Sequence, residues 1–147
     1  MPLEELIESI RGFHALSYYA GITTAFAEVV GAGCKSLALS SPYDSATADM
    51  IREPTRIATE EYNVKLYEEK DLMVTRLFPA DIAAGKTVFL IARDDGVLQE
   101  YMRPKEMKKR SDAPGNPDEA ENQIAWRFGR LLSYSERKIG ELLSENS

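Results

Sequence analysis

Four hydroxyls in one short stretch are the side chains best placed to do chemistry: Ser40, Ser41, Tyr43 and Ser45 within Leu39-Ser40-Ser41-Pro42-Tyr43-Asp44-Ser45. They follow a short apolar run and precede a helical pattern, so they fall where a strand hands over to a helix. The first turn of a helix has unpaired N–H groups and the positive end of the macrodipole, which together favour an anion. Lys35 before the run and Arg52 after it could add charge. The 40–47 junction is therefore the expected ligand site, and its chemistry would be binding of a small phosphate or carboxylate. It lacks the glycines that let backbone close on phosphate in P-loops and dinucleotide turns, so the ligand class stays open.

Catalytic types are scarce. His14 is the one histidine, and a free imidazole titrates near neutrality, but no Ser, Cys or Asp stands at a spacing that forces a partner on it. Beside Phe13 and Tyr18 it is expected to be a partly buried helix histidine. An enzyme reading would have to rest on His14 or Tyr43. The acidic doublets Glu60-Glu61, Glu68-Glu69 and Asp94-Asp95 point their neighbours in different directions and are expected in solvent. With one Cys and one His, structural zinc and an internal disulfide are out of reach within the chain. No spaced acidic loop suggests Ca²⁺ or Mg²⁺. The expectation is no metal and no cofactor, with Cys34 a small buried hydrophobe.

A second constellation lies near the C-terminus. The run Phe128-Gly129-Arg130-Leu131-Leu132-Ser133-Tyr134-Ser135-Glu136-Arg137-Lys138-Ile139 resembles the core of a helix-turn-helix. Gly129 stands where that motif wants a small residue, Ser133 stands at its turn in place of the usual glycine, and Ile139 stands at its buried position. The resemblance implies that residues 117–144 dock on DNA, with Ser135, Arg137 and Lys138 facing the groove. The basic run Arg103, Lys105, Lys108, Lys109 and Arg110 would then contact phosphates. Against this, 24 acidic side chains outnumber 18 basic ones for a net charge of −6. Glu136, Glu141 and Glu145 also share the last helix, so an ordinary helix hairpin competes with the DNA reading.

These residues need elements to hold them. Leu3 to Val30 reads as helix, in two pieces because of Gly12, and Gly31-Ala32-Gly33 as its cap and turn. Strands are expected at 36–40, 64–68 and 86–93, the last central because it is apolar on both faces. The run 72–78 reads as a fourth strand or as a short helix capped by Asp71. Helices are expected from Asp44, kinked or split at Pro54, and from Val97, interrupted at Pro104. The segment 111–117 reads as a loop, followed by a helix that begins at Asn116-Pro117 and a last one capped by Ser135. The fold class is α/β or α+β: a single domain with a small mixed sheet of three or four strands, an N-terminal helical segment and a C-terminal helix pair. Hydrophobic content of 44% suits a soluble globular protein, and the acidic N-terminus is unlike a signal peptide. The expectation is a cytoplasmic binding or regulatory domain rather than an enzyme, off the membrane. A homodimer through the small residues Ala20, Gly21, Thr23 and Thr24 is open.

Overall fold

A computed structural model describes residues 2–5, 14–110 and 117–146, apart from a few side chains near residues 107–117. Its elements are α1 (Ala15–Gly31), β1 (Leu37–Leu39), α2 (Ser45–Glu61), β2 (Lys65–Glu69), β3 (Val88–Ala92), α3 (Asp95–Arg110), α4 (Pro117–Leu131) and α5 (Glu136–Asn146). Leu3–Glu5 are also helical. The expected break at Gly12 and the Asn116 cap lie outside the described residues.

The sheet has three strands in the order β1-β3-β2. Both pairings are antiparallel, with Leu39 opposite Leu90 on one side of β3 and Tyr67 opposite it on the other. The fold is therefore α+β, and the sheet is antiparallel where a mixed one was expected. All five residues of β3 are buried, and strand alternation sends them to two faces. Phe89 and Ile91 meet α1 and α2 through Ala27, Val30, Ile51 and Ala58. Val88, Leu90 and Ala92 meet α3, α4 and α5 through Tyr101, Phe128, Leu132 and Ile139. The result is three layers, helices on both sides of a small sheet.

Several expectations need correction. Neither proline breaks its helix, and α2 and α3 run through Pro54 and Pro104. In α2 the buried stripe Ala48, Ile51, Thr55 and Ala58 holds the helix on the sheet. Thr55 Oγ1 donates to the Ile51 carbonyl at 2.7 Å, and Arg56 bridges Glu53 and Glu60 across the gap. Tertiary burial outweighs the roughly 3 kcal/mol that an interior proline costs. Cys34 is exposed, because it follows the α1 cap in a turn made by Gly33 at φ +86°. Residues 72–78 are neither strand nor helix. Both edges of β3 are already paired, and the segment's polar groups are met by side chains instead. Met73 N–H donates to Tyr101 Oη at 3.2 Å, Asn146 Nδ2 donates to Leu77 O at 3.0 Å, and Lys108 donates to Val74 O. Among the described residues, no helix is long and apolar enough to cross a membrane.

The doublet Glu68-Glu69 is divided rather than solvated. Glu68 pairs with Arg52, whereas Glu69 is buried at the end of β2. Glu69 Oε2 accepts from Lys105 Nζ at 2.6 Å and from Tyr101 Oη at 2.8 Å, and Oε1 accepts from Asp71 N–H at 2.8 Å. A buried carboxylate deprived of its cation costs about 3–5 kcal/mol, while an apolar replacement of both partners costs much less. Lys105→Met should therefore lose about that much in urea unfolding, and Glu69→Leu/Lys105→Met should recover most of it. Single and double variants of equal stability would contradict this.

Candidate functional site

The 40–47 junction is built differently from an open anion cradle. Ser40 prolongs the β1–β3 ladder: its N–H donates to Phe89 O at 2.9 Å, and its Oγ accepts from Phe89 N–H at 2.8 Å while donating to Ser41 O. After Pro42 the chain rejoins β3, where Tyr43 and Thr87 exchange backbone hydrogen bonds at 2.8 and 2.9 Å. The Tyr43 ring is buried, edge-on to Tyr19 at 5.0 Å. Burial, with the Tyr19 and Tyr18 phenols adding to it, pushes its hydroxyl up to about 12, so it is protonated at neutral pH. The N-terminus of α2 is capped by Asp44, whose Oδ1 accepts from Thr47 N–H at 2.7 Å, and this bond holds the carboxyl below its ordinary value. A carboxylate of the chain itself thus occupies the place of an external anion. Ser41 and Ser45 stay exposed.

Lys35 is not brought to these hydroxyls. It lies beyond the other end of β1, where Nζ donates to Leu132 O at 2.6 Å and sits 5.0 Å from the Tyr134 ring centre; burial lowers its pKa. Arg52 is committed to Glu68 and Asp49. His14 is exposed, not partly buried, and caps α1, with Nδ1 accepting from Ser17 N–H at 3.2 Å. No group of three or more His, Cys, Asp or Glu able to hold a metal occurs among the described residues.

The C-terminal pair brings Gly129, Ser133 and Ile139 together at one crossing. A Cβ on Gly129 would stand 2.6 Å from Ile139 Cγ1, so α4 and α5 cross where only glycine fits. Ser133 takes the left-handed conformation, φ +65°. Ser133 N–H then donates to Arg130 O at 2.9 Å and Tyr134 N–H to Gly129 O at 3.0 Å, which closes α4. Ser135 Oγ accepts from Lys138 N–H at 3.1 Å and caps α5. The turn is tied to β1 as well, because Ser36 N–H donates to Ser133 Oγ at 3.1 Å. Ser135, Arg137 and Lys138 are all exposed on the first turn of α5.

Beside that turn lies an open groove of about 880 Å³, lined by Asn122, Gln123, Trp126, Arg127, Arg130 and Glu136, with Asp118 and Glu119 at the start of α4. The Arg130 guanidinium sits 5.3 Å from the Trp126 ring centre. The basic run contributes less than expected. Lys105 is spent on Glu69, and Lys108 on Glu121 and Val74 O, while the side chains of Lys109 and Arg110 lie outside the described residues.

Sequence reasoning missed the burial of Glu69. Glu69 shares a strand face with the exposed Lys65 and Tyr67, and it is buried only because distant residues close over it. Comparison with protein-family models, curated proteins and solved structures finds no match to the chain.

Two measurements check this geometry. Gly129→Val should destabilise by about 1–3 kcal/mol through overpacking, whereas Gly140→Ala, with nothing within 4 Å of the new Cβ, should be neutral or stabilising. A neutral Gly129→Val would refute the close crossing. The second measurement is an absorbance titration of the seven tyrosines. Tyr43 holds its proton more tightly folded than unfolded, so its contribution to stability is complete below about pH 10 and is lost as pH rises toward 12. Tyr43, Tyr101 and Tyr134 should all ionise late, and Tyr43→Phe should remove one late group. Early ionisation of Tyr43 would mean that the ring is accessible.

Proposed function

We propose that the chain is a DNA-binding regulator that docks through α4 and α5. The observation that carries this reading is the crossing of Gly129 on Ile139 with Ser133 left-handed between the helices. A close crossing at a small residue, with a left-handed turn residue between the helices, supports the helix-turn-helix resemblance. In this reading α5 enters the major groove with Ser135, Arg137 and Lys138 toward the bases. Arg127, Arg130, Asn122 and Gln123 line the flank where backbone phosphates would lie. Acids temper the surface: Glu136 and Glu141 approach Arg130 and Arg137 at 3.7 and 3.6 Å. The complex is therefore weak for one copy and tightens for a homodimer on two half-sites. The protein works in the cytoplasm beside its DNA.

The small-anion reading of 40–47 gains less support, since Ser40 and Asp44 spend their side chains on the backbone. The enzyme reading gains less again, with Tyr43 buried and His14 employed as a cap.

Fluorescence anisotropy with a random-sequence duplex pool at low salt tests the proposal. Binding should weaken with salt at a log–log slope no steeper than about −4, set by Arg127, Arg130, Arg137 and Lys138. Arg137→Ala/Lys138→Ala should weaken it at least about tenfold and flatten the salt slope by about 2 without changing the melting temperature. No binding at low salt would overturn the reading.

A further inference from the structure

Residues 70–85, between β2 and β3, line an open hollow of about 200 Å³ walled by Leu72, Phe78 and Ala83 and by the exposed Val74 and Ile82, with Lys70 among its lining. Lys70 is exposed and forms no ion pair or hydrogen bond among the described residues. Glu68, whose carboxylate feels the Lys70 charge, is already held by Arg52 at 2.6 and 2.9 Å. Asp71 also lines the cavity and is engaged within the fold. Its negative charge beside Lys70 accommodates a singly charged acid and disfavours a dianion such as phosphate. The space is several times the roughly 30 Å³ share of one water, which leaves room for a small organic acid.

The 72–78 segment, which supplies Leu72, Met73, Val74 and Phe78 to this wall, also touches α3, α4 and α5. Met73 N–H donates to Tyr101 Oη of α3. Arg76 meets Asp118 and Asn122 of α4 at 2.5 and 3.4 Å. Leu77 O accepts from Asn146 of α5 at 3.0 Å. A molecule seated against Leu72, Val74 and Phe78 acts on a segment bonded to all three helices.

We propose that this cavity binds a small aliphatic monocarboxylate of about five carbons, with its chain among Leu72, Val74, Phe78 and Ile82 and its carboxylate on Lys70 Nζ, and that its occupancy sets the DNA affinity of the α4–α5 pair. The second half rests on the DNA-binding reading; the site itself does not. Coupling between the two ligands is reciprocal, and the Arg76 and Asn146 contacts are the links that carry it.

Titration calorimetry on the full chain uses 3-methylbutanoate, with 3-methylbutan-1-amine and 3-methylbutan-1-ol as charge controls. The acid should bind saturably and the amine should not bind. Lys70→Met, a change at an exposed residue, should weaken the acid roughly two- to fivefold. Ala83→Phe should fill the cavity and abolish binding, with circular dichroism reporting its fold. Saturating acid should shift the duplex dissociation constant at least about fivefold. No saturable binding of the acid, or equal binding of amine and acid, overturns the site. Acid binding that leaves DNA affinity unchanged overturns the coupling. Acid binding by a protein that binds no duplex supports the site and removes both the coupling and the DNA reading.

Discussion

Burial of β3 on both faces and both edges is the constraint from which the other elements take their places. Five consecutive buried residues cannot be satisfied by a single covering layer, because alternate side chains point opposite ways. Phe89 and Ile91 require one helical layer and Val88, Leu90 and Ala92 another, while the backbone requires a strand on each side. The strands that serve, β1 and β2, each run antiparallel to β3 and so parallel to one another, joined by α2 as a crossover. A central strand inserted between two parallel ones is a split βαβ arrangement.

The C-terminal helices are not an appendage to this frame. Phe128, Leu132 and Ile139 belong to the same apolar cluster as Leu37, Leu90 and Ala92. The turn between α4 and α5 is held from outside by Lys35 and Ser36. The sheet thus orients the first turn of α5. The irregular 70–78 segment is the third party, filling the seam between sheet and helices with Met73 and Leu77 and anchored by the buried Glu69–Lys105 pair.

Much of the fold was legible in short-range pattern. The continuous apolar run at 88–92, the alternation at 65–69, the glycine cap after α1 and the Pro117 helix start each carry their physics within a few residues. So does the α4–α5 turn, where Gly129, Ser133, Ser135 and Ile139 took the places that their spacing implied. What stayed hidden depends on partners far along the chain. Pro54 and Pro104 look like breaks until the helix faces beneath them are counted. Glu69 looks solvated until α3 brings Lys105 and Tyr101 to it. Residues 72–78 look like a strand until β3 proves to have no free edge. The 40–45 hydroxyls looked available as ligands because composition does not show that Ser40 already replaces a backbone acceptor.

The order of strands along the chain has a consequence for synthesis. β3 is the last of these three strands to leave the ribosome and the one both others need. While residues 37–69 are outside and 88–92 are not, α1 and α2 have no sheet face to cover, and two strand segments wait with unpaired backbone. Contacts that close so late expose apolar surface to chaperones and proteases in the interval. A nascent chain stalled in the 70–85 segment would be a substrate for quality control, and one released just beyond Ala92 would still lack the α3–α5 layer that covers Val88, Leu90 and Ala92.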